Sequence, residues 1–159
     1  MSWFMPLIAA VAIALPALAL AMPAPSPDLS PEAVVRLQVQ ALRDNDATDA
    51  GIAAVFAFAS PTNQRQTGPL ARFREMLRTP PYDALLNHRA AQFGLTALSP
   101  TRLQQVVTIT TAAGDEQRFL WIVSRQSDGV CAGCWMTDAV ITLKISEGSK
   151  PVWSTGPLT

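Results

Sequence analysis

The sequence predicts an α+β domain. Helical periodicity fills the first half of the chain, β-branched strand-like runs fill the second, and turn residues rather than long crossovers separate those runs. Three helices and about four antiparallel strands are expected, with the sheet curling around the helices. At 159 residues the chain has room for one domain with a core of its own. Its 12 Lys and Arg balance its 12 Asp and Glu, so no basic excess points to nucleic acid.

The amino terminus stands apart from that domain. Residues 3–22 hold no charge and are rich in Leu, Ile, Val and Ala, and the run Pro23-Ala24-Pro25-Ser26-Pro27 follows. An apolar stretch over 7–18 with small residues at Ala19 and Ala21 reads as a signal peptide over 1–21, cleaved after Ala21. The segment before it has no Lys or Arg, which departs from the usual pattern, and an uncleaved anchor is the alternative. Pro6 and Pro16 weaken a spanning helix, so cleavage is preferred. Either way the remainder is exported, with the periplasm as the expected compartment and no membrane contact after cleavage. Residues 22–29 are expected to be a Pro-rich linker, 30–146 the domain and 147–159 an irregular tail.

The domain opens on a strong helix start: Ser30 as N-cap, Pro31 at the first helical position and Glu32 near the positive end of the helix dipole. Val34, Val35, Leu37, Ala41 and Leu42 form its apolar face, and Arg36, Gln38, Gln40 and Arg43 its wet one. That helix ends near Asp44-Asn45-Asp46. Residues 50–59 form a second helix, apolar nearly all round and therefore buried, which Ser60-Pro61 stops. The polar run Thr62-Asn63-Gln64-Arg65-Gln66 reads as a loop, with Thr67 or Gly68 capping a third helix over 70–77. After Pro80-Pro81 the pattern turns to strand: 82–86 leading into 88–94, then 102–111, 117–125 and 134–145, with turns at 113–116 and 126–129.

Three stretches carry a family resemblance: GIAAVFAFASPTNQRQTGPLARF at 51–73, LLNH at 85–88 and GCWMTDAVI at 133–141. They are similar to an uncharacterised family of bacteria and plants described as a domain of unknown function. Val35, Gln38, Ala41-Leu42 and Asn45-Asp46, followed by long strands ending in Trp135 and Asp138, look like the NTF2-like, cystatin-related cone fold. The resemblance implies a pocket inside three helices and a curved sheet. Members of that fold include isomerases, cyclases, dehydratases, binding modules and dimers, so fold does not select a function.

Several residues are candidates for chemistry. His88 is the single histidine, suited to proton transfer near neutral pH, and Asp138 would orient it if the two face one another. A structural hydrogen bond is the competing role for His88. Asn63, Arg65, Thr67, Arg72, Asn87 and His88 form the candidate ligand-binding set, with Arg74, Arg78 and Arg89 adding positive charge suited to a small anionic ligand. An ordinary solvated helix face is the alternative. Cys131 and Cys134 have disulfide spacing, but the strand after them lacks the helix dipole of a redox catalyst, and a hairpin disulfide and two free thiols both stay open. Trp121 and Trp135 are expected in the core or the cone lining. No metal site or cofactor is expected, since two Cys and one distant His do not make a zinc site. The leading reading is a non-enzymatic exported domain that binds a small molecule or a protein partner, with a homodimer through the open sheet face as a further expectation. The alternative is an enzyme of isomerase or dehydratase type using His88 and Asp138.

Overall fold

A computed structural model describes residues 22–144. The signal segment and the irregular tail anticipated from the sequence lie outside them. Four helices and a 3₁₀ turn precede a four-stranded antiparallel meander: α1 (Pro31–Arg43), α2 (Ala50–Ala57), α3 (Pro61–Thr67), α4 (Leu70–Leu77), the turn Tyr82–Leu85, then β1 (Ala90–Leu98), β2 (Arg102–Thr110), β3 (Glu116–Arg125) and β4 (Trp135–Leu143), adjacent in chain order. The α+β class is therefore correct. Among the described residues no helix is long and apolar enough to cross a membrane.

Helix α1 begins as its sequence dictates, with the Ser30 hydroxyl accepting from the Ala33 amide at 3.1 Å. Its buried face is Val34, Val35, Gln38, Val39 and Leu42. Gln38 was expected on the wet face and is fully buried instead. Steps of four residues stack Val34, Gln38 and Leu42 on one stripe, and helix geometry decides the matter over polarity. Helix α2 packs so closely on α1 that a Cβ on Gly51 would strike the Ala41 carbonyl oxygen. The turn between them holds the buried Asp49 at φ 60°, with Arg78 Nη2 donating to its two carboxylate oxygens at 2.7 and 2.8 Å.

The polar run expected to be a loop is helix α3. Helix α2 stops at Ala57, two residues short of the expected end, and Ser60-Pro61 starts α3, with the Ser60 hydroxyl accepting from the Asn63 amide at 3.3 Å and Pro61 in the first turn. Gly68, at φ 84°, closes α3, and Pro69 rather than Thr67 or Gly68 precedes α4. The strand expected over 82–86 is the 3₁₀ turn, and 22–29 is no free linker, since Met22 and Leu29 pack against the core.

The inner face of the sheet follows from period-two alternation: Leu103, Val107 and Ile109 of β2, with Phe119, Trp121 and Val123 of β3, are fully buried beneath the helices. The β3–β4 register slips between Ile122 and Val123, which pair with Ala139 and Thr137 and leave Asp138 as an extra residue. The free edge of β4 is partly covered by the α2–α3 corner. Thr137 donates its amide to the Phe58 carbonyl at 2.7 Å and accepts from the Ser60 amide at 2.9 Å. Covering an exposed edge in this way satisfies its backbone groups and blocks pairing with another chain.

Candidate functional site

Between the four helices and the β3–β4 half of the sheet lies a cavity of about 290 Å³. Leu42, Val55, Phe73, Leu77 and Leu85 give it apolar walls, Trp121 forms part of its sheet side, and Thr137, Asp138 and Val140 border it along β4. Its polar groups are mostly committed to one another. Gln38 donates from Nε2 to the Thr137 hydroxyl at 2.7 Å and to the Val34 carbonyl at 3.2 Å. Asn63 donates to the Thr137 carbonyl at 3.0 Å, the Thr67 hydroxyl to the Asn63 carbonyl at 2.9 Å, and the Tyr82 hydroxyl to the Val140 carbonyl at 3.1 Å.

One group is uncommitted. Among the described residues the buried polar atoms without a partner belong to Arg74, Gln105, Gln117, Trp121 and Thr142, and of these residues Trp121 alone borders the cavity. Its indole N–H can only donate, and a buried donor without an acceptor costs about 1–3 kcal/mol. Trp121 was expected in the core or cone lining, yet nothing in the sequence marks its nitrogen as unsatisfied, because the groups that surround it are set by the tertiary packing.

The six expected ligand-binding residues do not form one site. Asn63 and Thr67 border the cavity. Arg65 and Arg72 do not; both are exposed, and Arg65 donates to the Thr62 hydroxyl on its own helix at 2.9 Å. The charge expected to gather for an anion is dispersed further because Arg74 and Arg78 turn to Asp49. Among the described residues Asp138 is the one charged residue on the cavity wall. Asn87 is structural: at φ 50° its side-chain amide donates to the Asn45 and Arg43 carbonyls at 2.7 and 3.2 Å, closing the end of α1.

His88 and Asp138 are not brought together. His88 borders a second, more open groove between α1 and β1, beside Arg36, Arg43 and Phe93. Its Nδ1 lies 2.8 Å from the Leu85 carbonyl oxygen, which only accepts, so the proton of the neutral ring sits on Nδ1. Burial lowers the pKa of His88 below its ordinary 6.5; the Leu85 carbonyl raises it, nearby Arg43 lowers it further and Asp44 raises it.

Cys131 and Cys134 are joined in a disulfide in the β3–β4 connection, with Cys134 fully buried. Trp121 and Trp135 are not a pair across the strands, since Trp121 lies opposite Val140 and Trp135 opposite Arg125. Among the described residues no group of three or more His, Cys, Asp or Glu is placed to hold a metal ion.

A family model described as Domain of unknown function (DUF4864) matches residues 27–148 of the chain. No curated protein and no solved structure matches it.

Proposed function

Because the chain belongs to the DUF4864 family, a domain with no reaction assigned to it, its function has to be read from its cavities, and we propose that it is a non-enzymatic binder of a small neutral molecule. The ligand is largely apolar and carries one hydrogen-bond acceptor, a carbonyl or ether oxygen, that meets the Trp121 N–H. The fold in this reading is an NTF2-like cone with the interior cavity as its pocket, and the protein works outside the cytoplasm.

The observation that carries the reading is the buried, unpartnered N–H of Trp121, a residue that lines a cavity whose other polar groups are mostly paired with one another. A volume of about 290 Å³ lies just below the range usual for ligand pockets, about 300–1,000 Å³, which suits a small ligand. Neutrality follows from the lining, which among the described residues offers no cation to a carboxylate or phosphate and includes Asp138, whose carboxylate would repel one. Export is supported by the uncharged apolar segment ahead of the proline run and by the disulfide, a bond that persists in oxidising compartments.

A thermal-shift screen of small neutral carbonyl compounds against carboxylates of equal size tests it. Neutral compounds are expected to raise the melting temperature, and Trp121→Phe, which keeps a ring in the wall but deletes the donor, to weaken binding about 2- to 12-fold, equivalent to about 0.5–1.5 kcal/mol. A screen in which only carboxylates bind, or in which Trp121→Phe binds as well as the parent, sinks the reading. Intact-mass measurement of envelope protein tests export, with a chain beginning at Met22 expected and retention of Met1 counting against cleavage.

A further inference from the structure

The groove between α1 and β1 contains a group of side chains that the interior cavity does not use. Arg36 and Arg43 stand on α1 two turns apart, about 10.5 Å along the axis, and both border the groove. Among the described residues neither makes an ion pair: the carboxylate bound by arginines is Asp49, held by Arg74 and Arg78. The acid nearest to Arg43 in sequence, Asp44, accepts instead from Gln40 Nε2 at 2.6 Å. Arg36 is steadied by its guanidinium, which sits 4.3 Å from the centre of the Phe93 ring. His88, only 4% exposed, borders the same groove. With its Nδ1 proton committed to Leu85, its Nε2 carries a lone pair and has no partner in the described chain.

We propose that this groove binds a small phosphate-type oxyanion, clamped by the Arg36 and Arg43 guanidiniums with His88 Nε2 as its third contact. Guanidinium groups match phosphate oxygens in pairs, which suits two unpaired arginines converging on one groove of about 490 Å³. The neutral imidazole sets the class. A hydrogen-bond acceptor among the cations is of use to an anion that still carries a P–OH, as inorganic phosphate does near neutral pH, and not to a carboxylate, which has lost its proton. Once His88 takes up a proton, the same nitrogen becomes a donor to a phosphate oxygen, so occupancy and protonation favour each other. The charged groups near the ring are Arg36, Arg43 and Asp44 of α1 and the adjoining Arg89, so cations outnumber the one acid, which Gln40 already engages. An added anion therefore offsets the repulsion that these cations exert on the protonated imidazole.

His88 being the single histidine of the chain, its ring resonances report the site without assignment. The experiment follows them by NMR across pH in the full chain carrying no added histidines, with inorganic phosphate, acetate or chloride at matched ionic strength. Phosphate is expected to raise the His88 pKa by about half a unit or more, which corresponds to roughly threefold tighter binding to the protonated ring. Arg43→Gln is expected to raise the pKa in chloride, because a repelling cation is gone, and at the same time to abolish the phosphate response. Arg36→Gln, as an independent variant, should lose the response with little change in chloride. Both arginines are exposed, so the fold should survive either change, and the dispersion of the remaining spectrum verifies it. Equal shifts in phosphate and chloride would reduce the effect to screening and overturn the site. Equal shifts in phosphate and acetate would overturn the phosphate assignment, and arginine variants that respond like the parent would remove the clamp.

Discussion

The interior cavity and the outer groove both border α1, yet they are opposite kinds of site. On one side the helix presents Gln38 and Leu42 to a space walled by the helices and by β3 and β4; on the other it presents Arg36, Gln40 and Arg43 to a groove that solvent reaches. Inside, polar groups are paired among themselves and one donor is left over. Outside, among the described residues, Arg36 and Arg43 lack ion-pair partners and a buried imidazole keeps a free lone pair. The difference teaches that this domain sorts its polar groups by charge, keeping guanidiniums out of the interior. A low-dielectric cavity tolerates a neutral donor far better than it tolerates a guanidinium, so the arginines stay at the rim of the molecule while the interior keeps mostly neutral hydrogen-bonding groups.

The largest expected effect strikes both sites at once through the helix they share. Gly51→Ala would push α2 away from the Ala41 carbonyl and displace α1. Overpacking of this kind costs about 2–3 kcal/mol, a fall in melting temperature on the order of 10 °C, and both ligand responses should weaken together. A Gly51→Ala protein that melts like the parent would show that the two helices are not held at close contact.

Next in size is a change confined to the interior. Thr137→Val removes the hydroxyl that accepts from Gln38, leaving part of a buried amide unpaired at a cost of about 1–3 kcal/mol. Adding Gln38→Leu to that variant should recover most of the loss, since replacing both partners of a buried pair by apolar groups approaches neutrality. Chemical denaturation of the two single variants and the double variant measures the coupling. Additive losses would mean that the pair does not act as one unit.

The groove should reveal itself through pH. Burial holds the folded-state pKa of His88 below its ordinary 6.5, so the unfolded chain binds the proton more readily. Stability is then complete above about pH 6.5 and falls as the pH is lowered through that value, with a slope of at most about 1.4 kcal/mol per pH unit for one proton. His88→Gln should flatten this part of the profile in urea denaturation series, whereas Thr137→Val should not. The smallest effects belong to the two arginines outside both sites. Arg65→Ala and Arg72→Ala should each move stability by less than about 0.5 kcal/mol and leave the neutral-ligand and phosphate responses intact. Loss of either response would return these residues to the binding machinery.

Legibility followed the range of the interactions concerned. Ser30-Pro31 and Ser60-Pro61 are the same signal: serine as N-cap, proline in the first turn. The first is plain because the proline run Pro23-Ala24-Pro25-Ser26-Pro27 precedes it, while the second follows closely on an apolar helix, so that the polar residues after it resemble a loop. Helix α3 has no buried residue of its own. It persists because Asn63 and Gln64 bond to the Thr137 and Phe56 carbonyls on other elements. Of the candidate site, Asn63, Thr67 and Asp138 reach the cavity as residue types suited to hydrogen bonding, but their company could not be read from their order. The misplacement of Gln38 had a different origin, since its spacing from Val34 and Leu42 was visible and was outweighed by its polarity.

The sequence by itself determined the α+β class, the start and length of α1, the position of α4 and the meander of four strands, because these rest on local propensity, capping and periodicity within a few residues. Which side of α1 each polar residue serves was decided only in three dimensions. Asp49 takes Arg74 and Arg78 out of the expected anion site across 25 and 29 positions of sequence. The β3–β4 bulge leaves Asp138 unpaired within the ladder, while Asn87 fastens the start of β1 to the end of α1 and so places His88 in the other groove. Such contacts between residues far apart in the chain have no local signature, since each partner's type is compatible with many neighbours and packing alone selects the one it meets.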